Sequence, residues 1–428
     1  MGDLLRRHES SVAPMLAFDT DIHADHAEGP WVYDADGNRW ADFACGTAVA
    51  NLGHNHPEVI AAAKAQLDKL AHAGCVFRYD SIVELAERLR RITPGGIEKF
   101  GFANSGAEAV EAGVKLARYS TKRQGVIAFR GAFHGRTMGS VAYTTSNAKY
   151  RENYHPILGS VFVTAFPHPY RWGMTEDEAT DLALDELAKK FKHEVMPHNI
   201  AAFLIEPVQG EGGYYPAPQR FLQAVRDLAD EHGIMLVFDE VQTGFGRTAN
   251  WFAADHYGIR PDVLVMGKGI ANGLPLSSYG AASEIIDKWP VGAHGTTFGG
   301  NPVACAAAAK VIDVMEPLLP HARDLSKRAF ERFDDLRARH DTIGDVRGLG
   351  LMIGVELVSD RATRTPDPGA MDFIASYGVA HELIVIPCGP DGNIIRFIPP
   401  LTATLDELDA AIDVIDGALA AYEGGPGN

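Results

Sequence analysis

The chain has 428 residues, of which 46% are hydrophobic, a formal net charge of −17 and four cysteines. It has enough apolar content for a large core and is too long for one small domain, and so acidic a chain is a poor partner for nucleic acid or an anionic membrane surface. The cysteines Cys45, Cys75, Cys305 and Cys388 lie far apart and form no CxxC, which argues against a disulfide or zinc framework (no metal is expected) and points to a reducing cytosol.

The amino end lacks the apolar core of a signal peptide, and no later run is long enough to span a membrane, so a cytoplasmic protein is expected. Residues 1–30 are weakly patterned and read as an arm with little structure of its own. Residues 31–43 read as a hairpin turning at Asp36 and Gly37, and 44–54 as a loop of small residues. His54 and His56 flank Asn55 ahead of Pro57, which reads as a turn and not a ligand pair. Amphipathic helices are predicted over 57–70 and 81–92. From about residue 98 the pattern alternates, with strands at 99–103, 126–129, 201–205, 234–238 and 263–266 and helices at 107–119, 176–193 and 218–232. Helices follow at 302–315 and 325–339, then a strand at 350–357, a helix near 371–377, short strands at 383–386 and 394–398, a helix at 405–422 and a frayed end at 424–428.

Alternating strands and helices are the mark of βαβ units. The expected fold class is α/β, with a large, mostly parallel mixed-sheet domain over 56–305. A smaller α+β domain would come from both chain ends, 1–55 with 306–428, and a ligand would lie between the two.

Two predicted strands deliver charge to one edge. Asp239 closes the strand 234–238, and Lys268 follows the strand 263–266 after one glycine. The carboxyl ends of strands line the ligand crevice of an open α/β sheet. Pyridoxal phosphate needs such a pair: a lysine to hold it and a carboxylate to keep its ring nitrogen protonated. Taken alone, the pair reads better as a strand-end ion pair, because charges at strand ends are common.

The surrounding motifs decide between these readings. Asn104, Ser105 and Gly106 open a helix after a strand, where free N–H groups hold phosphate; Ser105 with Glu108 is also a plain capping box. Phe133, His134, Gly135 and Arg136 follow the next strand, with an aromatic that can stack on a planar cofactor and an arginine that can take a carboxylate. Glu206 closes another strand, and Glu211 sits in a glycine-rich loop. Thr296 and Thr297 lie in a further glycine-rich loop before a helix. Arg396 sits inside an apolar strand, where it requires an anion: a substrate carboxylate or Glu211.

With these motifs in order, the chain resembles the class III, pyridoxal-phosphate-dependent aminotransferases over nearly its whole length. The resemblance implies the aspartate-aminotransferase-like fold (PLP fold type I) and a homodimer or a dimer of dimers. It implies that Lys268 is the Schiff-base lysine and proton carrier, and that Asp239 pairs with the pyridine nitrogen. Val241 packs on the ring, Gln242 bonds the phenolic oxygen, and Phe133 stacks on the ring face. Gly106 and Ala107, with Ser105, hold the phosphate, joined by Thr297 from the other subunit; His134 and Glu206 line the site. Within the family the motifs are most similar to 4-aminobutyrate aminotransferases. Arg136 then holds the donor carboxylate, and Arg396 exchanges Glu211 for a substrate α-carboxylate. Thr47 stands where a bulkier aliphatic residue is expected, which widens the range of donors. The reaction implied is transfer of a terminal amine from an ω-amino acid to 2-oxoglutarate or pyruvate in ping-pong fashion. The alternatives are an acetylornithine or ornithine aminotransferase, and an amino-acid racemase or epimerase on the same scaffold. Gln242 weighs against an aminomutase, and Glu211 weighs mildly against the racemases.

Overall fold

The computed structural model describes residues 2–425; positions 426–428 of the predicted frayed end lie outside them. Apolar runs in the middle of the chain form a seven-stranded sheet. In chain order its strands are β1 (Lys99–Ala103), β2 (Gly125–Phe129), β3 (Val161–Thr164), β4 (Ile200–Ile205), β5 (Met235–Asp239), β6 (Val263–Met266) and β7 (Ser277–Ala281). They stand side by side as β1-β7-β6-β5-β4-β2-β3. Every pairing is parallel except those of β7, which runs antiparallel to β6 and β1. Each residue of β2, β4, β5 and β6 is buried. Helices cover both faces of such a sheet, which is why these strands read as unbroken apolar runs.

Two strands of this sheet escaped the sequence reading. One is β3, short and half-buried. The other is β7, Ser-Ser-Tyr-Gly-Ala, which is fully buried although its composition is weakly apolar. Its hydroxyls are satisfied on the spot: Ser277 donates to the Ser105 carbonyl at 2.7 Å and Ser278 to the Gly101 carbonyl at 2.9 Å. Hydrogen-bonded serines can be buried at little cost. Opposite β7, Gly101 has to be glycine, because a Cβ there would lie 2.1 Å from the Tyr279 ring.

The two chain ends pair with each other. Strands Ala24–Glu28, Trp31–Asp34 and Arg39–Asp42 form an antiparallel run, and Leu383–Ile384 adds to it in parallel. A further sheet contains Ile343–Leu349, Met352–Asp360, Ile394–Phe397 and Ile386–Cys388. The hairpin at residues 31–43 forms as predicted. The amino arm does not match its expectation: it carries a helix, Gly2–Ser11, and the strand Ala24–Glu28. That strand gains its order from pairing with its neighbour, which its own sequence does not advertise. No helix among the described residues is long and apolar enough to cross a membrane, and all four cysteines are free.

The small-residue loop after the hairpin is a tight left-handed turn. Cys45, Gly46, Thr47 and Ala48 all have positive φ, between 48° and 66°. Each non-glycine residue in that region costs about 1–2 kcal/mol. Asp42 holds the turn: its carboxylate accepts from the Ala44 and Gly46 N–H groups, and His54 Nε2 lies 2.8 Å from it.

Leu236 is fully buried in β5, opposite Phe203 of β4. Leu236→Ala is expected to destabilise the protein by about 2–5 kcal/mol, read as a lower urea midpoint at constant pH.

Candidate active site

The carboxyl ends of the parallel strands build one site. β5 ends in Asp239, β4 is followed by Glu206, and β6 by Gly267 and Lys268. After β1 comes the helix Gly106–Thr121, whose N-terminus opens at the same edge. Together they enclose a cavity of about 240 Å³. Its wall includes Gly106 and Ala107 at the helix start, Phe133, His134 and Arg136 after β2, and Val241 and Gln242 after β5. Glu206, Glu211, Asp239 and Lys268 complete it. A larger, open groove of about 1130 Å³ runs past Arg339, Asp341, Arg361 and Glu423; it gathers none of these strand-end groups.

Strand geometry sorts the acidic pair at the end of β5. Successive side chains point to opposite faces, so Asp239 lines the cavity while Glu240 does not. Glu240 instead accepts from the Ala253 and Ala254 N–H groups and from Thr243. Asp239 is gripped on both oxygens, by His134 Nδ1 at 2.7 Å and by the Val241 N–H at 3.1 Å. Both His134 and Asp239 are buried, so the carboxylate is fixed in orientation.

Lys268 is half-buried and adopts φ 45°. Lysine rarely enters the left-handed region, and a residue held there carries strain of about 1–3 kcal/mol. Burial, with help from the Arg396 charge, pulls its ammonium down to about 8, while Glu211, Glu206 and Asp239 oppose the shift. Glu206 accepts from the Phe133 N–H at 2.8 Å and the Gly210 N–H at 2.9 Å. Burial, reinforced by the Asp239 charge, pushes its carboxyl up to about 7 in spite of those bonds and His134.

Glu211 and Arg396 meet. Arg396 Nη2 donates to Glu211 Oε2 at 2.5 Å, and the arginine is 3% exposed. Burial by itself raises the Glu211 carboxyl, but Arg396 and Tyr150 outweigh it and hold it below the ordinary range. The loop that carries Glu211 is pinned from the carboxyl-terminal sheet, where Arg347 Nε donates to the Gly213 carbonyl at 2.9 Å and Gly389 N–H to the Glu211 carbonyl at 2.9 Å.

Of the residues singled out in the sequence, Gly106, Ala107, Phe133, His134, Arg136, Glu206, Glu211, Asp239, Val241, Gln242 and Lys268 line the cavity. Four do not. Arg396 stands behind Glu211. Ser105 is exposed, and its hydroxyl closes the capping box by accepting from the Glu108 N–H. Thr47 and Thr297 are both exposed within the single chain. Sequence reasoning missed Tyr150, whose hydroxyl donates to Glu211 Oε1 at 2.8 Å, and it missed Arg347. Nothing local marks either: Tyr150 lies in a polar stretch between strands, and Arg347 resembles any strand arginine.

A model of the class-III aminotransferases matches residues 16–419. The chain is 40% identical to the 4-aminobutyrate aminotransferase of Escherichia coli, covering 96% of this chain and 97% of that one. It is 39% identical to the 5-aminovalerate aminotransferase of Pseudomonas putida, covering 97% and 98%. Among solved structures, an amine transaminase of an uncultivated Pseudomonas species in its PLP-bound form superposes with a TM-score of 0.89, at 33% identity and 96% coverage of both chains. An (S)-enantioselective omega-transaminase of Thermomicrobium roseum gives 0.90, at 32% identity and 98% coverage of both.

The chain therefore belongs to the class-III aminotransferase family. It is an aminotransferase whose cofactor is pyridoxal 5'-phosphate. The cavity suits that cofactor in its own right. It joins a half-buried amine, a fixed carboxylate and a helix N-terminus, and it leaves the buried His134 Nε2 and Gln242 Oε1 without hydrogen-bond partners among the described residues. Gly106 is part of the cradle: a Cβ there would come within 2.8 Å of Val241.

Only the neutral amine is a nucleophile. In the cofactor-free protein, acylation of Lys268 by a small amine reagent, followed by peptide mass mapping, is expected to rise through a midpoint near pH 8, well below that of a solvent-exposed lysine.

Proposed function

We propose that this aminotransferase takes the terminal amine of 4-aminobutyrate, 5-aminovalerate or a similar ω-amino acid and passes it to 2-oxoglutarate, or to pyruvate, in ping-pong fashion. The observation that carries the reading is a division between two arginines. Arg136 reaches the cavity and pairs with no carboxylate among the described residues, whereas Arg396 is already neutralised by Glu211. An ω-amino acid has one carboxylate, far from its amine, and Arg136 answers it. It has no α-carboxylate, and Glu211 stands in for that group. The 4-aminobutyrate and 5-aminovalerate relatives agree with this donor class.

When bound, pyridoxal phosphate supplies an aldehyde that captures amines and a protonated ring that accepts electrons. The protein's residues do the rest. Gly106 and Ala107 present backbone N–H groups to the phosphate. Phe133 and Val241 hold the two ring faces, and Gln242 takes the phenolic oxygen. Asp239, oriented by His134, keeps the ring nitrogen protonated. Lys268 Nζ removes the proton from the amine-bearing carbon and returns it on the other side of the transfer. For the acceptor, Glu211 leaves Arg396, which then binds the α-carboxylate while Arg136 takes the distal one. A buried arginine is thus never without an anion.

We further assign the working unit as a cytoplasmic homodimer, alone or paired with a second dimer, in which Thr297 of the partner subunit completes the phosphate site. In support, Thr297 is exposed in the single chain, and so are the apolar Val76, Phe77 and Phe298. We likewise assign Thr47, on its left-handed turn, to a position beside the substrate chain in the assembled site.

The primary test is the visible spectrum of the holoenzyme as 4-aminobutyrate is added without keto acid. Conversion of the cofactor to its amine form is expected; an unchanged band with every ω-amine, together with loss of chirality in an α-amino acid, would instead favour a racemase. Lys268→Ala is expected to lower turnover at least ~10²–10⁴-fold while cofactor is still retained by dialysis. Arg136→Ala is expected to lower kcat/KM for 4-aminobutyrate roughly 10- to 100-fold, the worth of a charge-assisted bond. Its effect on n-butylamine, which has no carboxylate, is expected to be small.

A further inference from the structure

Tyr150 touches both arginine subsites at once. It ends the short turn Ala148–Tyr150. Its hydroxyl donates to Glu211 Oε1 at 2.8 Å, while Glu211 Oε2 holds Arg396. The Arg136 guanidinium lies 4.6 Å from the centre of the tyrosine ring, and Phe133 meets that ring edge-on at 5.4 Å. The turn is anchored at its other end. Asn147 accepts from the Lys149 N–H at 3.0 Å and donates to the Pro390 carbonyl at 3.2 Å. Gly389, one residue earlier, donates to the Glu211 carbonyl. Tyr150, Glu211 and residues 389–390 therefore close a ring of contacts around one carboxylate. Burial, and next the Glu211 charge, push the phenol up to about 12, so it remains a donor across the working pH range.

We propose that Tyr150 is a specificity-determining residue, whose hydroxyl holds Glu211 in its Arg396-paired position and so sets how readily Arg396 is released to a substrate α-carboxylate. The proposal rests on the exchange of Glu211 for substrate at Arg396 described above. With two partners, the Glu211 carboxylate is tied in place at both oxygens; with one, it leaves Arg396 more easily. The bond thus favours donors that lack an α-carboxylate and works against keto acids. Because the same ring lies under Arg136, the two carboxylate subsites share one support.

Tyr150→Phe removes the hydroxyl and keeps the ring. A hydrogen bond to a charged group is worth about a factor of ten or more. In the holoenzyme the variant is expected to lower KM for 2-oxoglutarate by roughly that factor and to leave kcat/KM for 4-aminobutyrate nearly unchanged, because Glu211 keeps Arg396 in both the free and the donor-bound site, with the cofactor band and thermal midpoint unchanged. A merely structural tyrosine would weaken both substrates together, and that result overturns the proposal. Glu211→Ala is measured alongside. If Glu211→Ala shifts the balance between donor and acceptor and Tyr150→Phe does not, the exchange stands and the role of Tyr150 falls. If neither shifts it, the exchange itself is wrong, and the proposal falls with it. In the double variant, Tyr150→Phe is expected to add nothing to Glu211→Ala; an undiminished effect there places the action of the hydroxyl elsewhere and overturns the assignment.

Discussion

Drawing the Lys268 amine into the cavity strips away much of the water that would stabilise its charge, and the surrounding site answers that loss. Asp239, Glu206 and Glu211 restore part of the ammonium's stability while Arg396 opposes them, which leaves the group near 8. Asp239 and Glu206 are buried in turn and Glu211 is half-buried, and each needs its own partners. Asp239 takes His134 and a backbone N–H, Glu206 takes two backbone N–H groups, and Glu211 takes Arg396 and Tyr150. One partly desolvated amine thus propagates into a network in which nearly every charge is held in a set direction. Preorganised groups of this kind reorganise little when charge moves in a reaction.

The parallel sheet makes the arrangement possible. Strands running the same way finish at one edge, so residues tens of positions apart in sequence arrive together. Glu206, Asp239 and Lys268 each come at or just beyond the end of a different strand. The loops that follow do the finer placement. The positive φ at Lys268 turns its side chain out of the strand direction, and the capped helix Gly106–Thr121 brings its N–H groups to the same edge. The glycines at 106 and 267 let Val241 pack close against them.

The second arginine comes from elsewhere. Arg396 lies on a strand of the carboxyl-terminal sheet, and Glu211 on a loop after β4. Their contact joins two parts of the fold, and it is reinforced by Arg347 on the Gly213 carbonyl and by Gly389 on the Glu211 carbonyl. A buried ion pair of this sort adds little net stability, but removing one partner leaves an uncompensated charge. That asymmetry suits an exchange, since a substrate carboxylate can replace Glu211 whereas nothing apolar can.

Much of this was legible in the chain alone. The apolar runs of β2, β4, β5 and β6 are long enough and sharply enough bounded to be read as buried strands, and the motifs on either side give their terminal charges a use beyond a strand-end ion pair. The motifs around Gly106, Phe133, Glu206, Asp239 and Lys268 are local, so order along the chain was sufficient to identify the family. The tertiary structure decided what depends on partners. It made a strand of the serines in β7, by supplying acceptors for their hydroxyls, and it ordered the amino arm by pairing it. It brought Glu211 to Arg396, 185 positions away, and slid Tyr150 between the two arginines. It also turned Ser105 to its helix cap and left Thr47 and Thr297 facing outward from the single chain. Local pattern determines what a segment can become; contacts between distant segments determine which charges meet, because nothing in the sequence near a residue records what will be folded against it.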